Sequence, residues 1–259
     1  MRWMQETHRA KVRRLNTETI MTLKQKRIVI LGGSSGIGLA TAMAAARENA
    51  ELVIASSRQA SLDRALAVLP AGTKGHVVDL ADQSAVRTLF DGLGAFDHLV
   101  FTAGENLQLG PIAATEIEQA QHFWKLRYWG AFMAAKYGSP NIRSGGSIVF
   151  TSGLAGQRPH PGWSVASSIC GAMEGLTRAL AVELAPIRVN IVSPGVVKTP
   201  LWNNMKETDR EALYRQMDEK LLVGHAGESE EIAEAYIYLM RQTYGTGQTI
   251  VVDGGGALV

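Results

Sequence analysis

The sequence is poor in cysteine, with only Cys170 among its 259 residues. An intrachain disulfide is therefore excluded, and a reducing compartment such as the cytoplasm is expected. No apolar run reaches the roughly 18–20 residues that a membrane-spanning helix needs. These two absences argue against a disulfide-stapled secreted domain and predict a cytoplasmic protein without a membrane partner.

Charge of either sign is also sparse, since charged residues make up 19% of the chain and the net charge is +2. A balance this small predicts no nucleic-acid partner, and we predict no metal site. Much of the basic excess lies in the first 27 residues. Residues 1–22 lack the apolar core of a signal peptide, and they are predicted to be a disordered extension before one domain over residues 23–259.

Short runs rich in Val and Ile alternate with alanine-rich or amphipathic segments along the chain. Strands that are apolar on both faces are typical of a buried parallel sheet. The alternation predicts a single α/β domain, a doubly wound Rossmann fold whose parallel seven-stranded sheet carries helices on both faces. The predicted strands are 27–31, 51–56, 75–80, 97–102, 147–152, 187–193 and 248–253, and the predicted helices are 37–48, 60–69, 82–92, 115–138, 164–185 and 228–242.

The segment 199–226 interrupts this alternation and is richer in charge. An insertion beside the carboxyl ends of parallel strands usually covers a ligand crevice. We therefore predict that the segment forms a helical lid that shapes the substrate pocket. Trp202 and Met205 in this segment either line an apolar ligand site or pack as core.

A glycine-rich turn, GGSSGIG, lies between the first predicted strand and helix. Three of its four glycines, Gly32, Gly36 and Gly38, follow the pattern G-x-x-x-G-x-G, and glycine lets the backbone approach a pyrophosphate closely. The phosphates would then lie on the N-terminus of the helix, where N–H groups are free. The predicted cofactor-binding residues of this turn are Gly32, Ser34, Ser35, Gly36, Ile37 and Gly38.

The second predicted strand ends in the residues IASSRQ. A site that prefers NAD places an acidic residue here to bind the ribose 2′-hydroxyl. Ser56 stands at that place and is followed by Ser57 and Arg58, which would offer hydroxyl and guanidinium donors to a 2′-phosphate. The sequence therefore predicts NADP(H) as the cofactor.

From about residue 24 onward the chain resembles the short-chain dehydrogenase/reductase family. The motifs that carry the resemblance are GGSSGIG, VVDL, FTAG, GGSIVFTSG and SPGVVKT, in the family's order, followed by GTGQTIVVDGG near the C-terminus. In the family the VVDL aspartate faces the adenine, and the threonine of the SPGVVKT motif reaches the nicotinamide amide. The resemblance thus implies further cofactor-binding residues: Asp79, Leu80, Thr102, Ala103, Gly104, Pro194, Gly195, Val197 and Thr199.

The same resemblance implies four catalytic places, and all four are replaced. The family's tyrosine donates the proton, its lysine lowers the tyrosine pKa and holds the nicotinamide ribose, its serine orients the carbonyl, and its asparagine holds a relay water. These places correspond to Ala166, Cys170, Gly153 and Arg127. The candidates for a catalytic role are Ser152, whose hydroxyl is a much poorer acid than a tuned tyrosine, and His160, which titrates usefully but lies on a Pro/Gly loop. The third candidate is Arg127, which would either bind an acidic ligand or pair with a carboxylate.

Three functions stay open at this point. The first is an NADP(H)-binding pseudoenzyme that acts as a sensor, scaffold or oligomer partner. The second is an NADPH-dependent oxidoreductase of a small carbonyl or alcohol, with an unconventional proton source or a substrate that needs no enzymic acid. The third is a different reaction in the same pocket, such as that of a lyase or isomerase. Under each of them the resemblance implies a homodimer or homotetramer that uses the helices 115–138 and 164–185.

Overall fold

Seven parallel strands form one sheet in the computed structural model, which describes residues 22–107 and 109–259. Apart from Thr22, the predicted N-terminal extension lies outside the described residues. The strands are β1 Arg27–Leu31, β2 Glu51–Ser56, β3 Lys74–Val77, β4 Phe96–Phe101, β5 Ile142–Thr151, β6 Arg188–Pro194 and β9 Thr249–Val252, and a separate parallel pair is formed by β7 Val197–Lys198 and β8 Gly227–Glu228. The order in the seven-stranded sheet is β3-β2-β1-β4-β5-β6-β9.

The helices lie close to their predicted positions and cover both faces of the sheet. Among the described residues, no helix is long and apolar enough to cross a membrane. The single predicted helix 115–138 is interrupted by a π-helical turn at Lys125–Gly130. The helices are α1 Gly36–Arg47, α2 Gln59–Leu66, α3 Gln83–Leu93, α4 Ile117–Trp124, α5 Ala131–Gly138, α6 Ser164–Glu183, α7 Glu207–Lys220 and α8 Ser229–Arg241.

The apolar strands divide their side chains between two cores, one on each face of the sheet. In β1, Val29 and Leu31 join the core that α3, α5 and α6 cover. Ile28 and Ile30 point the other way, into the core that α1, α2 and α8 cover. This alternation is the period-2 geometry of a strand. Burial on both faces explains why the strands read as continuous apolar runs.

The strand order reverses between β1 and β4, because the chain moves outward through β2 and β3 and then returns to the other side of β1. A crevice opens at such a point, outside the carboxyl ends of the strands. The glycine turn follows β1, and the FTAG motif begins at the last residue of β4. The fold therefore brings these two motifs to the same crevice, as the predicted Rossmann arrangement requires.

The segment 199–226 begins with a short 3-10 turn and then forms α7. No residue of α7 is fully buried, and its half-buried face carries Leu213, Tyr214 and Met217. Trp202 is only 8% exposed, and its indole Nε1 donates to the Val197 carbonyl at 2.9 Å. Trp202 is thus a core residue that anchors the start of the segment. The lid function of α7 remains a prediction.

A buried carboxylate joins three chain segments at the amino ends of the central strands. Asp97 accepts hydrogen bonds from the Arg27 amide at 2.9 Å, from Lys26 Nζ at 3.1 Å and from Arg143 Nη1 at 2.7 Å. Burial of Asp97 raises its pKa, but these donors outweigh burial, and the pKa of Asp97 lies below its usual range. The cluster lies at the sheet edge opposite the crevice, so its contribution is to stability.

We expect Asp97→Asn to lower the free energy of unfolding by about 2 kcal/mol at pH 7, because the carboxylate side chain is only 7% exposed and bonds to charged groups. The folded pKa lies below the unfolded value, so this stabilisation is present above about pH 4 and disappears as pH falls through the folded pKa. Urea unfolding between pH 3 and 7 measures it. The control is Asp91→Asn, whose side chain is 72% exposed; an equal loss there would contradict the assignment.

Candidate functional site

The glycine turn is tightly packed against the end of β4. Gly32 has φ 90° and Gly36 has φ 50°, both in the region that favours glycine. A Cβ atom on Gly38 would collide with the Gly32 carbonyl oxygen and with Thr102 Oγ1. Any side chain at position 38 would therefore separate α1 from the turn. These glycines are required by the geometry of the crevice.

The N-terminus of α1 fits a phosphate group. Ser35 is its N-cap residue, and within the described residues its side chain makes no capping hydrogen bond. The first turn contains Gly36, Ile37 and Gly38 and no acidic residue. The first N–H groups of a helix have no intrahelical partner, so here they remain available to an anion. The predicted pyrophosphate position is consistent with this arrangement.

The end of β2 is joined to the glycine turn by two hydroxyl groups. Ser34 Oγ donates to Ser56 Oγ at 2.9 Å, and Ser56 is buried. Ser57 and Arg58 follow at exposed positions, and Arg58 is the N-cap residue of α2. The structure thus places hydroxyl and guanidinium groups where an NAD site has a carboxylate. Their contact with a 2′-phosphate remains a prediction.

The FTAG motif and Thr199 both border the glycine turn. The Thr102 amide and hydroxyl donate to the Leu31 carbonyl at 2.8 and 3.2 Å. A Cβ atom on Gly32 would lie 2.5 Å from the Ala103 amide nitrogen, and one on Gly36 would lie 3.3 Å from Thr199 Cβ. Three segments distant in sequence therefore meet at the carboxyl end of β1.

The other predicted cofactor residues lie around this crevice with different exposure. Asp79 is exposed and accepts from the Ala81 amide at 2.9 Å, whereas Leu80 is buried. Pro194 ends β6, and the Gly195 amide donates to the Val252 carbonyl at 3.0 Å. Val197 is 4% exposed and belongs to a core cluster. Its side chain packs inside the protein and is not available to a ligand.

Three of the four positions that the resemblance implies to be catalytic, Arg127, Ala166 and Cys170, line one cavity of about 60 Å³. A Cβ atom on Gly153 would lie 3.5 Å from Cys170 Sγ, which places Gly153 beside it. Ala166 and Cys170 are one turn apart on α6. The register inferred from the sequence therefore brings all four positions together. The walls are formed by Phe101, Thr102, Ala103, Leu107, Phe123, Arg127, Thr151, Ser152, Ala166, Ile169, Cys170 and Met173.

Arg127 extends from the π-helical turn into this cavity. Its Nη2 donates to the Glu105 carbonyl, its Nε lies 3.7 Å from Glu105 Oε2, and its Cζ lies 4.5 Å from the centre of the Phe123 ring. Burial lowers the pKa of Arg127 and raises that of Glu105. Arg127 Nε and both Glu105 carboxylate oxygens lack a hydrogen-bond partner among the described residues. π-Helical turns occur frequently at functional sites.

Sequence reasoning did not identify Glu105 or Glu174. Glu105 directly follows the FTAG motif, and this adjacency was the available signal. Glu174 lies one turn beyond Cys170 on α6, and its Oε1 is 3.4 Å from Ser152 Oγ. Ser152 Oγ lies the same distance from the Cys170 carbonyl. These are long contacts, so Ser152 is only loosely held in the cavity wall.

Cys170 cannot replace a lysine electrostatically. Burial raises the pKa of its thiol, which is therefore neutral near pH 7.

His160 does not take over the role of a proton donor in the cavity, because its side chain is exposed. Its ring lies 4.7 Å from the Trp163 ring and outside the cavity wall. Of the three candidate catalytic residues, the structure brings Ser152 and Arg127 to the cavity and leaves His160 outside, since its proline-flanked loop follows the surface.

A second cavity of about 100 Å³ lies beside the first. Phe123 belongs to both walls, and Val165, next to Ala166, lines the second cavity. Gly110 and Gly162, whose backbones form a 3.0 Å hydrogen bond, also line it. Phe123 therefore stands between the two cavities.

The profile of a family described as Enoyl-(Acyl carrier protein) reductase matches residues 32–256. The short-chain dehydrogenase/reductase ATR9 of Stachybotrys chlorohalonatus is 38% identical over 92% of this chain and 99% of its own length. The corresponding values for the short-chain dehydrogenase/reductase ucsE of an Acremonium species are 33%, 93% and 99%. The chain belongs to the short-chain dehydrogenase/reductase family.

Solved structures of similar proteins agree with the fold. A small-chain dehydrogenase in complex with NADPH is 35% identical, has a TM-score of 0.78, and is matched over 91% of this chain and 100% of its own. The MalC reductase/Diels-Alderase of Malbranchea aurantiaca is 32% identical, has a TM-score of 0.84, and is matched over 94% and 99%. The NADPH complex of this short-chain dehydrogenase/reductase relative confirms the predicted cofactor class.

An acidic residue at the end of β2 should change the cofactor preference of this family member. We expect Ser56→Asp to weaken NADPH binding at least about tenfold, because the carboxylate would face the 2′-phosphate, and to leave NADH binding unchanged or tighter. Fluorescence titration with both nucleotides measures this. The control is Val68→Asp, which adds the same charge at a site that is 60% exposed. A parallel loss for both nucleotides would contradict the expected position of the 2′-phosphate.

Proposed function

We propose that the protein is an NADP(H)-dependent oxidoreductase that transfers hydride without a side-chain acid at the tyrosine position. The observation that carries this proposal is the cavity itself. Thr102 and Ala103 from the cofactor-binding segment form one part of its wall, and Ala166 and Cys170 from the replaced positions form another. Space for a substrate therefore lies directly beside the cofactor segment.

The residues at the crevice fit NADP(H). The amide groups at the start of α1 would bind the pyrophosphate, and Ser34, Ser57 and Arg58 would bind the 2′-phosphate. Thr199 borders the glycine turn, and the family resemblance assigns it to the nicotinamide amide. Bound NADPH supplies a hydride. The chain itself has to exclude water and to hold the acceptor close to the cofactor in the right orientation. Proximity and orientation alone lower the barrier to hydride transfer.

The cavity is poor in proton donors. Ala166 has none, the Cys170 thiol is a weak acid because burial raises its pKa, and a serine hydroxyl is weaker still. An acceptor that already carries positive charge, such as an iminium ion, needs no proton. Hydride forms the new C–H bond, the electron pair of the C=N⁺ double bond moves to nitrogen, and a neutral amine results. We therefore propose a charged acceptor as the preferred substrate class.

Two other functions have specific support. A pseudoenzyme that binds NADP(H) without turnover is supported by the residues at the four expected catalytic places. These are Ala166, Cys170, Gly153 and Arg127 in place of tyrosine, lysine, serine and asparagine. The MalC relative is described as a reductase/Diels-Alderase. A cycloaddition needs no acid or base, so an apolar cavity that only orients two reacting groups would suit it.

The self-association implied by the family is also a proposal for this chain. Exposed apolar side chains occur on the helices concerned: Ile117 is 67% exposed, Trp129 is 52% exposed and Val182 is 81% exposed. Large exposed apolar side chains of this kind mark interaction surfaces when they are contiguous. We propose a cytoplasmic homodimer or homotetramer that covers them.

The reductase proposal is tested with two acceptors of similar shape, N-methyl-3,4-dihydroisoquinolinium and 1-tetralone. We expect enzyme-dependent NADPH oxidation with the iminium ion, and a rate at least about 10²-fold lower with the ketone, because no positioned acid is present. Absorbance at 340 nm measures both, with an enzyme-free blank. Ala166→Phe is the matched control, since it fills the cavity without adding an acid and should abolish turnover while NADPH still binds.

Each remaining outcome of this experiment contradicts the proposal. NADPH binding without oxidation of either acceptor would favour the pseudoenzyme. Faster reduction of the ketone would require a proton source within the cavity. Turnover of a linked diene and alkene without any change in cofactor absorbance would favour a cycloaddition. Failure of the wild-type protein to bind NADPH would overturn the proposal at its first step.

Assembly is tested by sedimentation. We expect the wild-type protein to sediment as a dimer or tetramer at micromolar concentration and Trp129→Glu to shift it towards the monomer, because a buried carboxylate would be unpaired in the interface. Val68→Glu is the control, because Val68 lies at an exposed position just after α2, and this variant should leave the assembly unchanged. A monomeric wild-type protein would contradict the proposed association.

A further inference from the structure

The guanidinium of Arg127 lies directly on the backbone of the cofactor-binding segment. A Cβ atom on Gly104 would lie 2.8 Å from Arg127 Cζ, Nη1 and Nη2. A Cβ atom does not approach another heavy atom to less than 3 Å without a shift of one of them. The guanidinium can therefore occupy this position only because residue 104 is glycine. Arg127 thus reaches the carboxyl end of β4, although it belongs to a helical turn outside the sheet.

This position lies on one side of the point where the strand order reverses. The glycine turn and the end of β2 are on the β1 side, and Arg127 is on the β4 and β5 side. A dinucleotide binds across such a reversal, with its two halves on opposite sides. If the phosphates and adenylate half occupy the β1 side, the nicotinamide half lies beside Arg127. This step rests on the proposed NADP(H) binding.

Arg127 has unused capacity to donate hydrogen bonds. Among the described residues that wall the cavity, only Arg127 carries a charged side chain. Its Nη2 donates to the Glu105 carbonyl, while its Nε has no hydrogen-bond partner in the described residues. Glu105 faces it as a counter-charge at 3.7 Å without a hydrogen bond. A guanidinium has five donors, so several remain for acceptor groups of a ligand.

The nicotinamide half offers few hydrogen-bond acceptors, and its carboxamide is assigned to Thr199 by the family resemblance. The pyrophosphate belongs to the amide groups of α1, and the sugar next to the nicotinamide carries two hydroxyl oxygens. We propose that Arg127 binds these ribose hydroxyls and positions the nicotinamide. The family's lysine would act from the place of Cys170, which faces the same cavity. In this chain the cation has moved from α6 to the π-helical turn.

The test compares NADPH with adenosine 2′,5′-bisphosphate, which retains the adenylate half and lacks the nicotinamide riboside. We expect Arg127→Met to weaken NADPH binding about tenfold and to leave binding of the bisphosphate unchanged, because a hydrogen bond from a charged donor is lost. Calorimetric or fluorescence titration measures both ligands. Neither readout depends on turnover.

Matched variants keep the test interpretable. Arg127→Met leaves Glu105 buried without a counter-charge and can unfold the protein, so Arg127→Met is also made together with Glu105→Gln. Glu105→Gln alone keeps the guanidinium and its hydrogen bond to the carbonyl of residue 105, so it is the reference against which the double variant is compared. The pair Arg127→Asn and Cys170→Lys returns the cation to α6 and should recover most of the lost affinity.

The inference fails if the double variant, Arg127→Met with Glu105→Gln, binds NADPH as tightly as Glu105→Gln alone. It also fails if both ligands lose affinity equally, since the effect would then not be specific to the nicotinamide half. These results differ from failure of the proposed function, in which the wild-type protein itself does not bind NADPH.

Discussion

The close approach of the glycine turn to the end of β4 is the constraint on which the rest of the site depends. Without a side chain at Gly38, α1 starts within van der Waals distance of Gly32 and Thr102. The same contact directs the unpaired N–H groups of α1 into the crevice between β1 and β4. It also fixes the FTAG segment, whose glycine receives the Arg127 guanidinium. Packing and ligand binding therefore depend on the same absent side chains.

Stability and chemistry are located at opposite edges of the sheet. At the amino edge, the buried Asp97 carboxylate accepts from three donors. At the carboxyl edge, Arg127 and Glu105 are buried with polar atoms that have no partner in the described residues. Incompletely satisfied buried charge destabilises a fold. It is tolerated at functional sites, where a ligand supplies the missing partner, and this contrast supports a binding role for Arg127.

Periodic features of the sequence predicted most of the fold, and long-range contacts account for what they did not predict. The strands and helices follow from apolar runs and amphipathic segments, and their ends agree within a few residues for most elements. The π-helical turn has no such pattern, because it accompanies a distant contact: a Cβ atom on Gly130 would lie 2.8 Å from the Leu80 carbonyl oxygen. Glu105 was missed for the same reason, since its partner Arg127 is 22 residues away. The exposure of His160 depends on the path of its loop.

Ala166 offers no proton donor to the cavity, and this affects which reactions the cavity favours electrostatically. Reduction of a ketone separates charge, because an alkoxide and a positive nicotinamide ring form together, and in an apolar site this is costly unless a proton arrives. Hydride transfer to an iminium ion only moves one positive charge from acceptor to cofactor. Glu105 lies 3.7 Å from Arg127 behind the cavity wall and offsets part of its charge, which weakens the repulsion that a cationic acceptor would meet. A cavity with Ala166 and Cys170 is therefore better suited to shifting a charge than to creating one.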